Sequence, residues 1–183
     1  MQKTGSLVQY ELERMIDYIT ALIRSHSDKG VIVDSNLLLL WCIGACDERL
    51  VASFKRTKTF SVEDYRLLAI ILHQFRRVLS TPNILTEVNS FLGQLDTLYK
   101  AACFSRFAEH IGRLDERYLA SGGIRRTPAF IKFGLTDAAI IRLSARGYLV
   151  MTEDLPLAAY IQHLGVPVLN FNNIRPLGWR YLG

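Results

Sequence analysis

Cysteine is scarce in this chain, with three among 183 residues. A small, odd number argues against the disulfide framework of a secreted domain and for a reducing compartment. Cys42 and Cys46 lie four apart in an apolar stretch with no histidine at metal-ligand spacing, so they read as core thiols. The four histidines are scattered and none adjoins an acidic motif. A glycine-rich phosphate loop is missing, which argues against a nucleotide-dependent enzyme. Long apolar runs are missing too. The longest, Leu37 to Ala45, is far short of the ~20 residues that cross a bilayer. The first residues lead into a charged amphipathic stretch and contain no signal-peptide core. Together these features predict a cytoplasmic protein with no membrane partner.

What is present is the composition of a globular domain. Hydrophobic residues make up 50% and charged residues 21%, which excludes a disordered or fibrous chain. At roughly 150 residues per domain, the length suits one core with additions. Lysine and arginine number 22 against 17 acidic residues, a net charge of +5. That excess permits a polyanionic partner without demanding one.

Hydrophobic spacing predicts an amphipathic helix over 7–23, ended by the turn Ser27-Asp28-Lys29-Gly30. Val31-Ile32-Val33 reads as a short buried strand, followed by a buried helix from Leu37. Ser61 to Asp64 resembles a capping box for a helix to about Phe75. A second strand is expected over 76–80, then a helix opened by Thr81-Pro82. Residues 97–120 read as helical. A helix is expected from the Gly134-Leu135-Thr136 turn to Arg146, a third strand over 148–152, a helix over 155–164 and a fourth strand over 166–169. Strands alternating with helices predict an α/β domain, with a mainly parallel sheet and extra helices in the middle of the chain.

Four acids fall where such a sheet binds ligands, beyond the carboxyl ends of its strands. Asp34 follows the first strand, and Glu87 lies one turn into the helix after the second. Asp137 begins the helix after Thr136, and Asp154 follows Thr152 at the end of the third strand. Taken singly, a cap or turn is the simpler reading of Asp34 and Asp154, and complementing a helix dipole that of Asp137. Glu87 shares a helix face with Ile84 and Phe91, where a lone carboxylate is costly. Taken together, acids with no basic residue in the same motifs suit a hard divalent cation, Mg²⁺ or Mn²⁺.

The four segments carry a resemblance. Val31-Ile32-Val33-Asp34-Ser35-Asn36 resembles the opening motif of PIN-domain nucleases, and Thr81-Pro82-Asn83-Ile84-Leu85-Thr86-Glu87-Val88 the second. Gly134 to Ile140 resembles the third and Leu149 to Asp154 the fourth, in family order. The resemblance implies a three-layer α/β/α sandwich and Mg²⁺- or Mn²⁺-dependent cleavage of RNA. It implies that Asp34, Glu87, Asp137 and Asp154 are the catalytic, metal-binding acids, with Asn36 and Thr152 supporting them. Residues 1–29 would be an N-terminal helical extension and 30–183 the nuclease domain. Many relatives of this type are toxins, so an antitoxin partner and a homodimer are further expectations. The N-terminal helix and the long stretch between Asp34 and Glu87 depart from the shorter toxins.

Among basic residues, Arg125-Arg126 is the leading candidate for a substrate contact. Arg142 with Arg146, and the loop Lys55, Arg56 and Lys58, could contact phosphates or be solvated surface. The alternatives to an endoribonuclease are a DNA-cleaving enzyme with the same acids, and a PIN-like RNA- or protein-binding domain with little catalysis. A phosphatase-like hydrolase with Asp34 as nucleophile is weakened by Asn36, which stands where a second Asp is needed.

Overall fold

Val31-Ile32-Val33 is β-branched at every position and buried at every position, which suits the centre of a sheet covered on both faces. The computed structural model describes residues 3–181. Five strands form one sheet: β1 (Val31–Val33), β2 (Val78–Ser80), β3 (Asp115–Glu116), β4 (Leu149–Thr152) and β5 (Val168–Asn170). Their order is β3-β2-β1-β4-β5, and every pairing is parallel. Val31 lies opposite Val78 on one side and Leu149 on the other.

Parallel neighbours require crossovers, and the crossovers here are helical. The helices are α1 (Lys3–His26), α2 (Ser35–Cys46), α3 (Glu48–Ser53), α4 (Val62–Leu72), α5 (Pro82–Leu92), α6 (Thr97–Ile111), α7 (Ser121–Ile124), α8 (Pro128–Ser144), α9 (Leu155–His163) and α10 (Phe171–Tyr181). The result is the α/β domain with a parallel sheet that the alternation predicts, in the three-layer α/β/α sandwich that the motif resemblance implies. Among the described residues no helix is long and apolar enough to cross a membrane.

Helix α2 is apolar on all sides, and Leu37, Leu38, Leu39, Leu40, Cys42 and Ile43 are all buried. It can be so because α4, α5 and α6 pack around it, which is where the middle helices find their role. Cys103 of α6 meets Cys46 of α2 there, and all three cysteines are free thiols. Gly44 lets the Tyr65 ring of α4 lie directly on the α2 backbone, since a Cβ at that position would overlap the ring. Gly44→Ala is therefore expected to destabilise the protein by ~1–3 kcal/mol through overpacking, measurable by urea denaturation.

Several boundaries differ from the sequence reading. The stretch expected to be helical to residue 120 stops at Ile111, and Asp115-Glu116 becomes the edge strand β3. Two charged residues carry no strand periodicity, and their pairing with Leu79 and Ser80 is purely tertiary. Helix α8 begins at Pro128, not at the Gly134 turn, and Gly134 interrupts it as a kink with φ 79°. The second and third strands start two and one residues later than expected, and β5 runs over 168–170 in place of 166–169. α1 spans more of the N-terminus than its apolar spacing indicates, and Ile19, Leu22 and Ile23 pack it onto the core.

Candidate active site

The chain leaves β1 toward β2 on one side of the sheet, and leaves β4 toward β5 on the other. Such a reversal of strand order opens a crevice at the carboxyl ends of the two strands. Asp34 follows β1 and Asp154 follows β4 across this crevice. Glu87 enters from α5 and Asp137 from α8. All four line one pocket of about 370 Å³, together with Ser35, Asn36, Thr136, Phe91 and Phe133. Among the described residues no lysine, arginine or histidine lines it.

Each acid is held differently. Asp34 is 6% exposed and caps α2, its Oδ1 accepting from the Leu37 amide at 2.8 Å. Its Oδ2 accepts from the Thr152 hydroxyl and from the Glu153 amide at 3.1 Å. Thr152 in turn accepts from the Asp154 amide at 3.0 Å, so one buried hydroxyl links the two strand ends. Asp154 caps α9 through Oδ1, which accepts from the Leu157 amide at 2.7 Å. The capping reading of Asp34 and Asp154 is thus correct, and it is compatible with a pocket role. A cap uses one or two lone pairs of a carboxylate that has about four.

Glu87 is half-buried and takes both its bonds from hydroxyls. Ser35 donates to Oε2 and Thr136 to Oε1, each at 2.5 Å. Among the described residues no arginine pairs with it, and Arg76 lies elsewhere, its backbone amide bonded to the Ser27 carbonyl. Asp137 has no side-chain hydrogen bond among the described residues. Burial pushes its carboxyl up to about 7, and the charges of Asp154, Asp34 and Glu87 push in the same direction. Asp34 is also raised, chiefly by burial, against the hydrogen bonds that favour its ionised form.

Sequence reasoning missed three parts of this site. Ser35 and Thr136 sit beside the recognised acids, but their bonds to Glu87 span 52 and 49 residues. Glu153 is a fifth acid beside the cluster, raised by burial and by Asp34 and partly offset by a hydrogen bond from Asn36. Asn36 therefore supports Glu153, while Thr152 supports Asp34 directly. Arg125 and Arg126 are exposed on the turn between α7 and α8, off the pocket wall.

As placed, no three acidic, cysteine or histidine side chains among the described residues meet in a metal-ligating arrangement. The polar lining itself suits a hard cation: carboxylates, hydroxyls and the Asn36 amide, with burial first and like charges second pushing Asp137 up to about 7. Comparison with known proteins finds no matching family model and no matching curated protein.

Proposed function

We propose that this chain is a metal-dependent endoribonuclease of PIN type, cutting RNA phosphodiester bonds at the crevice between β1 and β4. The observation that carries the reading is the convergence of Asp34, Glu87, Asp137 and Asp154 on one pocket free of basic residues, with Asp137 raised to about 7. The fold agrees with the one that the motif resemblance implies.

Asp34, Glu87, Asp137 and Asp154 would hold Mg²⁺ or Mn²⁺. When bound, the ion supplies Lewis acidity and lowers the pKa of a coordinated water toward neutrality. The chain's own groups prepare that site. Thr152 and the Glu153 amide fix the Asp34 carboxylate, and Ser35 and Thr136 fix both oxygens of Glu87. Orientation is set before any ion arrives, which limits the entropy lost on binding. Asp137 keeps a proton near neutral pH and must release it as a cation enters, so affinity for the ion falls as pH drops below about 7.

The test is incubation of the purified protein with labelled RNA and DNA in Mn²⁺ and in excess chelator. RNA cleavage is expected with Mn²⁺ and none with chelator, because carboxylates alone do not activate water here. Mn²⁺ should also raise the melting temperature by mass action on the native state. Undiminished cleavage in chelator removes the metal mechanism, and preferential cleavage of DNA replaces the substrate. Asp34→Asn keeps the side-chain size and is expected to cut activity by orders of magnitude.

A further inference from the structure

Two aromatic rings share the wall of the acidic pocket, Phe91 from α5 and Phe133 from α8. They belong to the helices that bring in Glu87 and Asp137, and each stands four residues from its acid. Both rings are half-buried, and each carries a cation. The Arg56 guanidinium lies 4.6 Å from the Phe91 centroid, steadied by Gln94, which accepts from its Nε at 3.1 Å. The Lys132 ammonium lies 5.0 Å from the Phe133 centroid and 5.3 Å from that of Tyr160. Tyr160 braces Phe133 edge-on at 5.1 Å.

Two cation–aromatic contacts thus flank one pocket, while those of Arg14 with Tyr10 and Arg175 with Phe60 involve residues that do not line it. Burial explains neither, since packing an aromatic ring requires no charge against it. A function in strand binding explains both. An acidic pocket repels phosphates, so a nucleic acid needs attraction from its rim, and cations beside stacking surfaces are how flexible strands are held.

We propose that Phe91 with Arg56, and Phe133 with Lys132, are two base-stacking platforms that hold an unpaired nucleic-acid strand across the acidic pocket. They determine specificity for strands whose bases can leave their stack, because a duplex keeps its base faces covered. The proposal rests on the nuclease reading for what happens to the strand, but strand binding itself does not require cleavage.

The experiment is fluorescence anisotropy of the full chain with a labelled RNA of about 12 nucleotides, single-stranded or annealed to its complement, with Ca²⁺ in place of Mg²⁺. Tighter binding of the single strand is expected. Phe91→Leu and Phe133→Leu keep apolar packing and lose the stacking face, so each should weaken that binding by roughly 5–100-fold. Lys132→Ala should weaken it less and lower the salt slope by about 0.7. Unchanged melting temperatures in the leucine variants separate lost stacking from lost folding, and Phe133→Trp should restore affinity. The platforms are overturned if the leucine variants bind as the wild type does, if the duplex binds equally well, or if the wild type binds neither. Loss of binding in the variants of a protein that never cleaves would sustain the platforms and sink the nuclease reading. Metal-dependent cleavage with variants that bind normally would do the reverse.

Discussion

Asp137→Asn is expected to melt at a higher temperature than the wild type when both are metal-free at pH 8, and to cleave no RNA. Burial raises the Asp137 carboxyl to about 7, and Asp154, Asp34 and Glu87 add their repulsion. In the unfolded chain the same group titrates near its ordinary 3.8. Between those two values the folded protein binds more protons than the unfolded one, so stability falls as pH rises through that window. The full cost is present above pH 7. Asn removes it, so the gain is complete at pH 8, shrinks as pH falls through 7, and is gone near pH 4. Asp137 is only partly buried and solvent screens its neighbours, which brings the gain to roughly 1–2 kcal/mol. For a chain of this size that is a rise of roughly 2–8 °C. The same variant should lose most of the stabilisation expected from Mn²⁺ in the wild type. A lower melting temperature in chelator at pH 8 would count against an unpaired acidic cluster.

That the strain falls on Asp137 illustrates where the sequence could be read and where it could not. Asp34 and Asp154 stand at strand ends, and Glu87 and Asp137 follow the Thr81-Pro82 start and the Gly134 kink within their helices, so their addresses follow from local patterns such as Val31-Ile32-Val33-Asp34. Which acid is uncompensated depends on hydroxyls far away in sequence. Glu87 reads as the costly one because it shares a face with Ile84 and Phe91, yet Ser35 and Thr136 satisfy both its oxygens. Asp137 reads as an ordinary helix-start acid, yet among the described residues nothing satisfies its side chain. Strand β3 was equally hidden, because its place in the sheet comes from Leu79 and Ser80 and not from its own two residues. The kink at Gly134 was legible as a turn, but Pro128 had already started the helix one and a half turns earlier. The basic loop around Arg56 gave no hint of position. Only the fold sets Arg56 against Phe91 at the pocket wall.

The second large effect lies behind the pocket, where α10 meets α4. Asp64→Asn is expected to destabilise the protein by about 3 kcal/mol, because it breaks a buried ion pair from one side. Asp64 is fully buried and the Arg175 side chain is 17% exposed, with Nη2 2.7 Å from Oδ2 of Asp64. The same carboxylate accepts from the Ser61 amide in the capping box that starts α4. Asn still offers that amide an acceptor, so the cap survives and the loss isolates the pair. Arg175 also donates to the Thr59 carbonyl at 2.8 Å and lies 5.1 Å from the Phe60 ring centroid. Stripped of Asp64, its charge stays largely buried. A drop of about 6–12 °C in melting temperature follows for a chain of this length. Replacing both partners, Asp64→Asn with Arg175→Met, should cost less than the sum of the two single changes, since no buried charge is then left alone. The effect should reach the pocket. Asn172, one turn before Arg175, donates to the Glu153 carbonyl at 2.7 Å, and the Glu153 amide is one of the donors that orient Asp34. A loosened α10 should therefore weaken Mn²⁺ binding in Asp64→Asn at temperatures well below its melting point. If the variant instead binds Mn²⁺ as the wild type does while melting lower, the pair stabilises the fold without supporting the site. Wild-type stability in Asp64→Asn would show that the pair contributes no more than a well-packed neutral contact.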